Sequence, residues 1–173
     1  LASKGYVAVA IDHTDSTYDS QKAFASTLYN RAFDQLFVVN EMARLAAAGS
    51  GSMLAGRVDV SRTAILGYSM GGYGVVNVVG GGYRREAAAF PNGPPNALLL
   101  ERAAGTPAFE TSRDPRIKAA IAIGPWGMHV GYWDAAGLAA NATTASIARR
   151  ERSPCRIGLL RIMSAPGLRR EFR

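Results

Sequence analysis

The chain has 173 residues, 48% of them hydrophobic and 19% charged, with a net charge of +7. That balance fits a globular chain of one ordinary domain and excludes a wholly disordered one. The single cysteine, Cys155, excludes an internal disulfide framework and a cysteine-cluster metal site, and no run approaches the roughly 18 unbroken apolar residues of a membrane span.

The charge is unevenly spread. Residues 1–148 carry 12 basic and 11 acidic side chains, whereas residues 149–173 carry 8 Arg and 2 Glu. The basicity therefore belongs to the last segment, and charge runs of this kind are ordinarily solvated surface. No aromatic stacking run accompanies the arginines, so nucleic acid is not an expected partner. The chain opens on Leu1 without a Met and with no targeting segment in view. It reads as a fragment, and no compartment or oligomeric state is inferred.

Residues 6–11 form an apolar run that predicts a buried, parallel-type strand, ending in a polar loop over residues 12–20. A helix is expected over residues 32–48, with Phe33, Leu36, Phe37, Met42 and Leu45 on its apolar face and Asp34, Glu41 and Arg44 among its polar positions; Gly49-Ser50-Gly51 closes it. Residues 59–62 predict a turn and residues 63–67 a second strand. A helix weakened by three glycines follows over residues 71–79 and stops at Gly80-Gly81-Gly82. Residues 91–116 hold five prolines and read as a connecting excursion, with Asp114 a turn residue before Pro115. Residues 118–123 predict a third strand, ended by Gly124-Pro125. This alternation implies an α/β fold, a mostly parallel sheet with helices on both faces.

From about Asn141 the composition changes, and residues 156–163 are the only later strand-like run. The chain thus divides into a core over residues 1–140 and a basic tail of uncertain structure over residues 141–173. The tail has two readings: a linker with a basic extension, or a reading-frame slip, since out-of-frame translation of a GC-rich gene yields Arg, Ala, Gly and Pro.

The segment Gly67-Tyr68-Ser69-Met70-Gly71-Gly72 fits the pattern G-x-S-x-G. Between a strand and a helix this pattern makes a sharp, strained turn that lifts the Ser hydroxyl clear of the sheet. Residues two positions away on either side, Gly67 and Gly71, are expected to be small so that side chains do not collide. The N–H of Met70 then points toward a developing oxyanion at the start of the helix.

With residues 1–6 leading into Ile11-Asp12-His13, Val58-Asp59-Val60-Ser61-Arg62, the Ser69 turn, Ile117-Lys118-Ala119-Ala120 and Pro125-Trp126, the chain resembles the α/β-hydrolase superfamily. It most resembles the branch of dienelactone-hydrolase-like proteins, platelet-activating-factor acetylhydrolases and cutinase-type polyester hydrolases. The resemblance covers residues 1–140. It implies a serine hydrolase of small-molecule or polymeric carboxylic esters, with Ser69 as nucleophile, the Met70 N–H as one oxyanion donor and Trp126 flanking the substrate. It implies no metal or organic cofactor, because the chemistry uses side chains alone.

A serine needs a histidine to take its proton and an acid to orient that histidine, in this superfamily in the order Ser, acid, His. Only His129 follows Ser69, and it lies six residues after the third strand, where the family does not place its catalytic His. Asp134 does not match the family acid, and Cys155 has no His nearby in sequence. The resemblance also places a second oxyanion donor upstream of Leu1. The chain is therefore expected to lack its first strands and catalytic C-terminal third and to be impaired. His13, at the end of the first predicted strand, is a candidate cleft residue or substitute base; its plainer reading is a loop histidine bonded to Asp12, Thr14 or Asp15. The rival to the hydrolase is a non-catalytic α/β domain whose basic tail binds a partner or polyanion.

Overall fold

The computed structural model describes residues 1–14, 16–17, 19–22, 24–89, 93–110, 113–133, 138, 145–150 and 157–161. Among the described residues the α-helices and strands are, in chain order, α1 (Phe24–Ala46), β1 (Thr63–Tyr68), α2 (Met70–Val78), α3 (Pro107–Glu110), β2 (Ile117–Ile123), β3 (Ala145–Arg150) and β4 (Ile157–Arg161). The sheet order is β1-β2-β3-β4, with β1–β2 and β2–β3 parallel and β3–β4 antiparallel. The fold is thus α/β with a small, mostly parallel sheet.

The link between α1 and β1 is locally determined. Asp59 caps the 3-10 turn Val60–Arg62 by accepting from the Ser61 N–H at 3.0 Å, and its other oxygen accepts from Arg62 Nε at 2.8 Å. On the far side, Asp114 accepts from the Arg116 N–H at 2.9 Å and launches β2, as its turn assignment predicted. Leu66 then pairs with Ile121 and Tyr68 with Ile123 across the parallel ladder. The strand-like run at residues 156–163 overlaps β4, whereas β3 falls in the stretch after Asn141 where the sequence predicted no strand.

α2 packs on the sheet face that carries Ile65, Gly67, Ala120 and Ala122, and α1 packs on α2. The α1–α2 contact depends on Gly74. A Cβ there would lie 2.7 Å from Gln35 Nε2 and 3.0 Å from Arg31 Cγ, so the glycine that weakens the helix also lets the two helices approach. The core around this contact is aromatic: Tyr73, Tyr83, Tyr132 and Trp133 join Leu28, Val75, Val76 and Leu99.

Three expectations change. Residues 6–11 form no strand; Tyr6, Val7 and Val9 are exposed, because among the described residues no strand supplies their ladder. α1 begins eight residues earlier than predicted and buries a different stripe, Thr27, Leu28, Arg31, Ala32, Gln35 and Val39; Phe33 and Phe37 lie on its exposed side. Close approach to Gly74 selects this stripe over the more apolar one. Finally, the described helices cover one sheet face, while Leu66, Tyr68, Ile121 and Ile123 on the other are exposed.

Candidate active site

Ser69 sits between the end of β1 and the first residue of α2, with φ 52° and ψ −115°. For an L-residue this conformation is strained by roughly 1–3 kcal/mol. The surroundings hold it there. The Ser69 N–H donates to the Ile123 carbonyl at 3.0 Å, extending the β1–β2 ladder by one rung. The Ser69 carbonyl accepts from Tyr73 N–H at 2.9 Å, the first turn of α2, and from Trp126 N–H at 3.0 Å. Backbone bonds to β2, to α2 and to the turn after β2 thus fix one residue, and its side chain stays half-exposed.

The steric reasoning for the flanking glycines holds at one position and fails at the other. A Cβ on Gly67 would lie 2.3 Å from both the carbonyl carbon and oxygen of Gly71. A Cβ on Gly71 would meet nothing within 4 Å. The close contact is between Gly67 and the backbone of Gly71, so only the first glycine must lack a side chain. Gly72 is tight for another reason: its Cβ would sit 3.1 Å from Pro125 Cα, which brings the β2–Trp126 turn against α2.

Met70 is the first residue of α2, so its N–H has no acceptor within the helix. The N-terminal end of a helix dipole favours negative charge at such a donor. Trp126 is half-buried on the same side of the sheet as the Ser69 turn. Its ring meets Phe24, Tyr73 and Tyr132 at centroid distances of 5.2, 5.7 and 5.4 Å. Below it, the Tyr73 hydroxyl donates to the Leu28 carbonyl at 2.5 Å and bonds the Tyr83 hydroxyl, and Trp133 Nε1 donates to Asn77 Oδ1 at 3.0 Å. Burial pushes the Tyr73 and Tyr83 phenols well above the usual tyrosine range and Tyr132 up to about 12. The Tyr73 and Tyr83 phenols therefore serve as neutral hydrogen-bonding groups beneath the site.

The two histidines occupy different surroundings. His13 is buried, and its Nδ1 lies 2.6 Å from Asp34 Oδ2 on α1. Beside it, Arg31 Nη2 donates to the Ser16 carbonyl at 3.1 Å and to Ser16 Oγ at 2.6 Å, tying the loop after residue 13 to the helix. Burial, opposed by Asp34, draws the Arg31 guanidinium below its usual range. The described partner of His13 is thus a helix residue 21 positions away rather than Asp12 or Thr14; Asp15 lies outside the described residues. Among the described residues no hydrogen bond or ring contact joins His13 to Ser69. His129 is exposed, with its ring edge-on to Trp126 at 5.8 Å. Asp134 and Cys155 lie outside the described residues.

Sequence reasoning missed Asp34 as the partner of His13, having read it only as a polar helix position. Its one available signal was the shared polar stripe with Arg31, spaced i, i+3.

A family model described as PET hydrolase-like matches residues 1–98, more than half of the chain and including the whole Ser69 turn. The chain belongs to that family. It is therefore a hydrolase of α/β type, in agreement with the sheet, the strand-to-helix turn and the order of elements. Trp126 and His129 lie beyond the matched residues. No curated protein matches the chain. No solved structure matches it either. Among the described residues no group of three or more His, Cys, Asp or Glu side chains is placed to hold a metal ion, and no helix is long and apolar enough to cross a membrane.

Proposed function

We propose that the chain is a serine hydrolase of carboxylic esters in which Ser69 forms the acyl-enzyme. The observation that carries this reading is the strained Ser69 backbone at the head of α2, held by its bond to the Ile123 carbonyl and by bonds from the Tyr73 and Trp126 N–H groups. Strain kept in place by its surroundings is characteristic of functional positions.

In this reading Ser69 Oγ attacks the ester carbonyl as its proton passes to a base. Negative charge collects on the former carbonyl oxygen, where the Met70 N–H donates to it. Collapse expels the alcohol and leaves the acyl group on Ser69; water then releases the acid. Trp126 flanks the acyl or alcohol part of a small or polymeric ester. The chemistry calls on no cofactor.

The base is the weak part, and we propose that turnover is impaired for that reason. His13 is committed to Asp34, and among the described residues no carboxylate pairs with His129. Sites lacking one triad member retain roughly 10³–10⁴-fold catalysis over water, so slow turnover is expected rather than none. The test is nitrophenol release from p-nitrophenyl acetate by the whole chain and by Ser69→Ala. A release phase stoichiometric with enzyme, followed by slow turnover and absent in Ser69→Ala, supports the reading. Identical release by both chains overturns the role of Ser69, and fast continuous turnover overturns the impairment.

A further inference from the structure

A cavity of about 570 Å³ opens at the opposite edge of the sheet from Ser69, within the size range of small-molecule sites. Arg102 lines it, and that residue is only 3% exposed. The guanidinium lies over the Phe33 ring at 4.9 Å and donates to the Asn77 carbonyl at 3.3 Å. Among the described residues no carboxylate pairs with it. A buried charge without a counter-ion is costly, so this arginine stands out among the charged groups of the chain.

The other cations at the cavity are already matched. Arg116 forms a forked pair with Asp114, and Arg113 pairs with Glu110. Glu101 accepts from the Tyr29 hydroxyl at 2.8 Å. Among the described residues Arg102 is thus the cation lining the cavity that has no carboxylate within ion-pair distance, and a single guanidinium fits a monoanion better than a phosphate dianion. A guanidinium carries a planar fork of N–H donors, the geometry that grips a carboxylate. Phe33, Leu36, Ala108 and Pro115 supply apolar walls to the cavity.

We propose that this cavity binds a small carboxylic acid with an aromatic or branched apolar body, its carboxylate on Arg102 and its body against Phe33 and Leu36. The site is distinct from the Ser69 turn. Asp114 and Arg116 precede β2 and Trp126 follows it, and a strand of seven residues separates them by about 20 Å.

The test titrates the whole chain with benzoate and, separately, with neutral benzyl alcohol, followed by ligand-observed NMR. Saturable benzoate binding is expected, with benzyl alcohol far weaker. Arg102→Gln is expected to raise the benzoate Kd about ten-fold or more, the scale of a lost charge-assisted bond. Because Arg102 is buried, Phe33→Glu serves as the second variant: its side chain is partly exposed, and a new carboxylate there is expected to abolish benzoate binding in a folded chain. Ser69→Ala is expected to leave the Kd unchanged, which separates this site from the proposed nucleophile. Equal affinity for benzyl alcohol, unchanged benzoate affinity in Phe33→Glu, loss of binding in Ser69→Ala, or no saturable binding would each overturn the proposal.

Discussion

Replacing Ser69 by Gly and by Ala separates backbone strain from chemistry. Both variants lack the hydroxyl, and they differ only by a Cβ. At φ 52° and ψ −115° that Cβ is what strains the backbone. Relief of about 1–3 kcal/mol is opposed by the larger conformational freedom of Gly in the unfolded chain, about 0.4–1 kcal/mol. Ser69→Gly is therefore expected to exceed Ser69→Ala in stability by about 1 kcal/mol. In urea, with a slope near 2 kcal/mol per molar, the midpoints should differ by about 0.5 M. The melting temperatures should differ by about 2–4 °C at this chain length. Ala43→Gly within α1 is the control, where the same Ala-to-Gly difference should reverse in sign at about 1 kcal/mol. If Ser69→Ala proves as stable as Ser69→Gly while the control behaves as expected, Ser69 is unstrained and this reasoning fails.

Further outcomes follow from the same geometry. Gly67→Ala should cost about 3 kcal/mol or more, since its Cβ meets the Gly71 backbone at 2.3 Å, whereas Gly71→Ala should be neutral or stabilising; denaturant melts of the pair test the asymmetry. Tyr73→Phe leaves the Leu28 carbonyl and the Tyr83 hydroxyl without their shared partner and should cost about 1–3 kcal/mol in the same assay. The folded pKa values of Tyr73, Tyr83 and Tyr132 are raised, so their contribution to stability is complete below about pH 10, the unfolded value, and is lost as pH rises toward the folded values. For Tyr132 that window runs from about pH 10 to about 12, and Tyr132→Phe should show a shallower alkaline decline. Rapid phenolate absorbance titration checks this directly: complete ionisation of all 7 tyrosines near pH 10 with the fold intact would contradict it.

Much of the backbone geometry of the candidate site was legible because it is local. A strand run, a glycine, a serine and a glycine-rich helix are adjacent in sequence, and the turn they form needs no distant partner to be recognised. β1 and β2 were legible for a similar reason: each is a short apolar run bounded by an Asp-containing turn. What failed depends on partners. The apolar run at residues 6–11 carries strand character but becomes a strand only beside another. The stripe that α1 buries was decided by Gly74 on another helix, which admits Arg31 and Gln35 at close range and leaves Phe33 and Phe37 outside. The His13–Asp34 pair joins residues 21 apart through a loop whose path no local pattern specifies. Arg102 is buried by contacts with Asn77 and Phe33 that sequence spacing does not announce.

The central claim, that Ser69 is the nucleophile, is tested most directly by reacting the whole chain with a fluorophosphonate and locating the adduct by peptide mass spectrometry. The account predicts a single, slowly formed phosphonyl adduct on Ser69, absent from Ser69→Ala. An unmodified Ser69 after prolonged exposure, or an adduct of equal yield in Ser69→Ala, would contradict it.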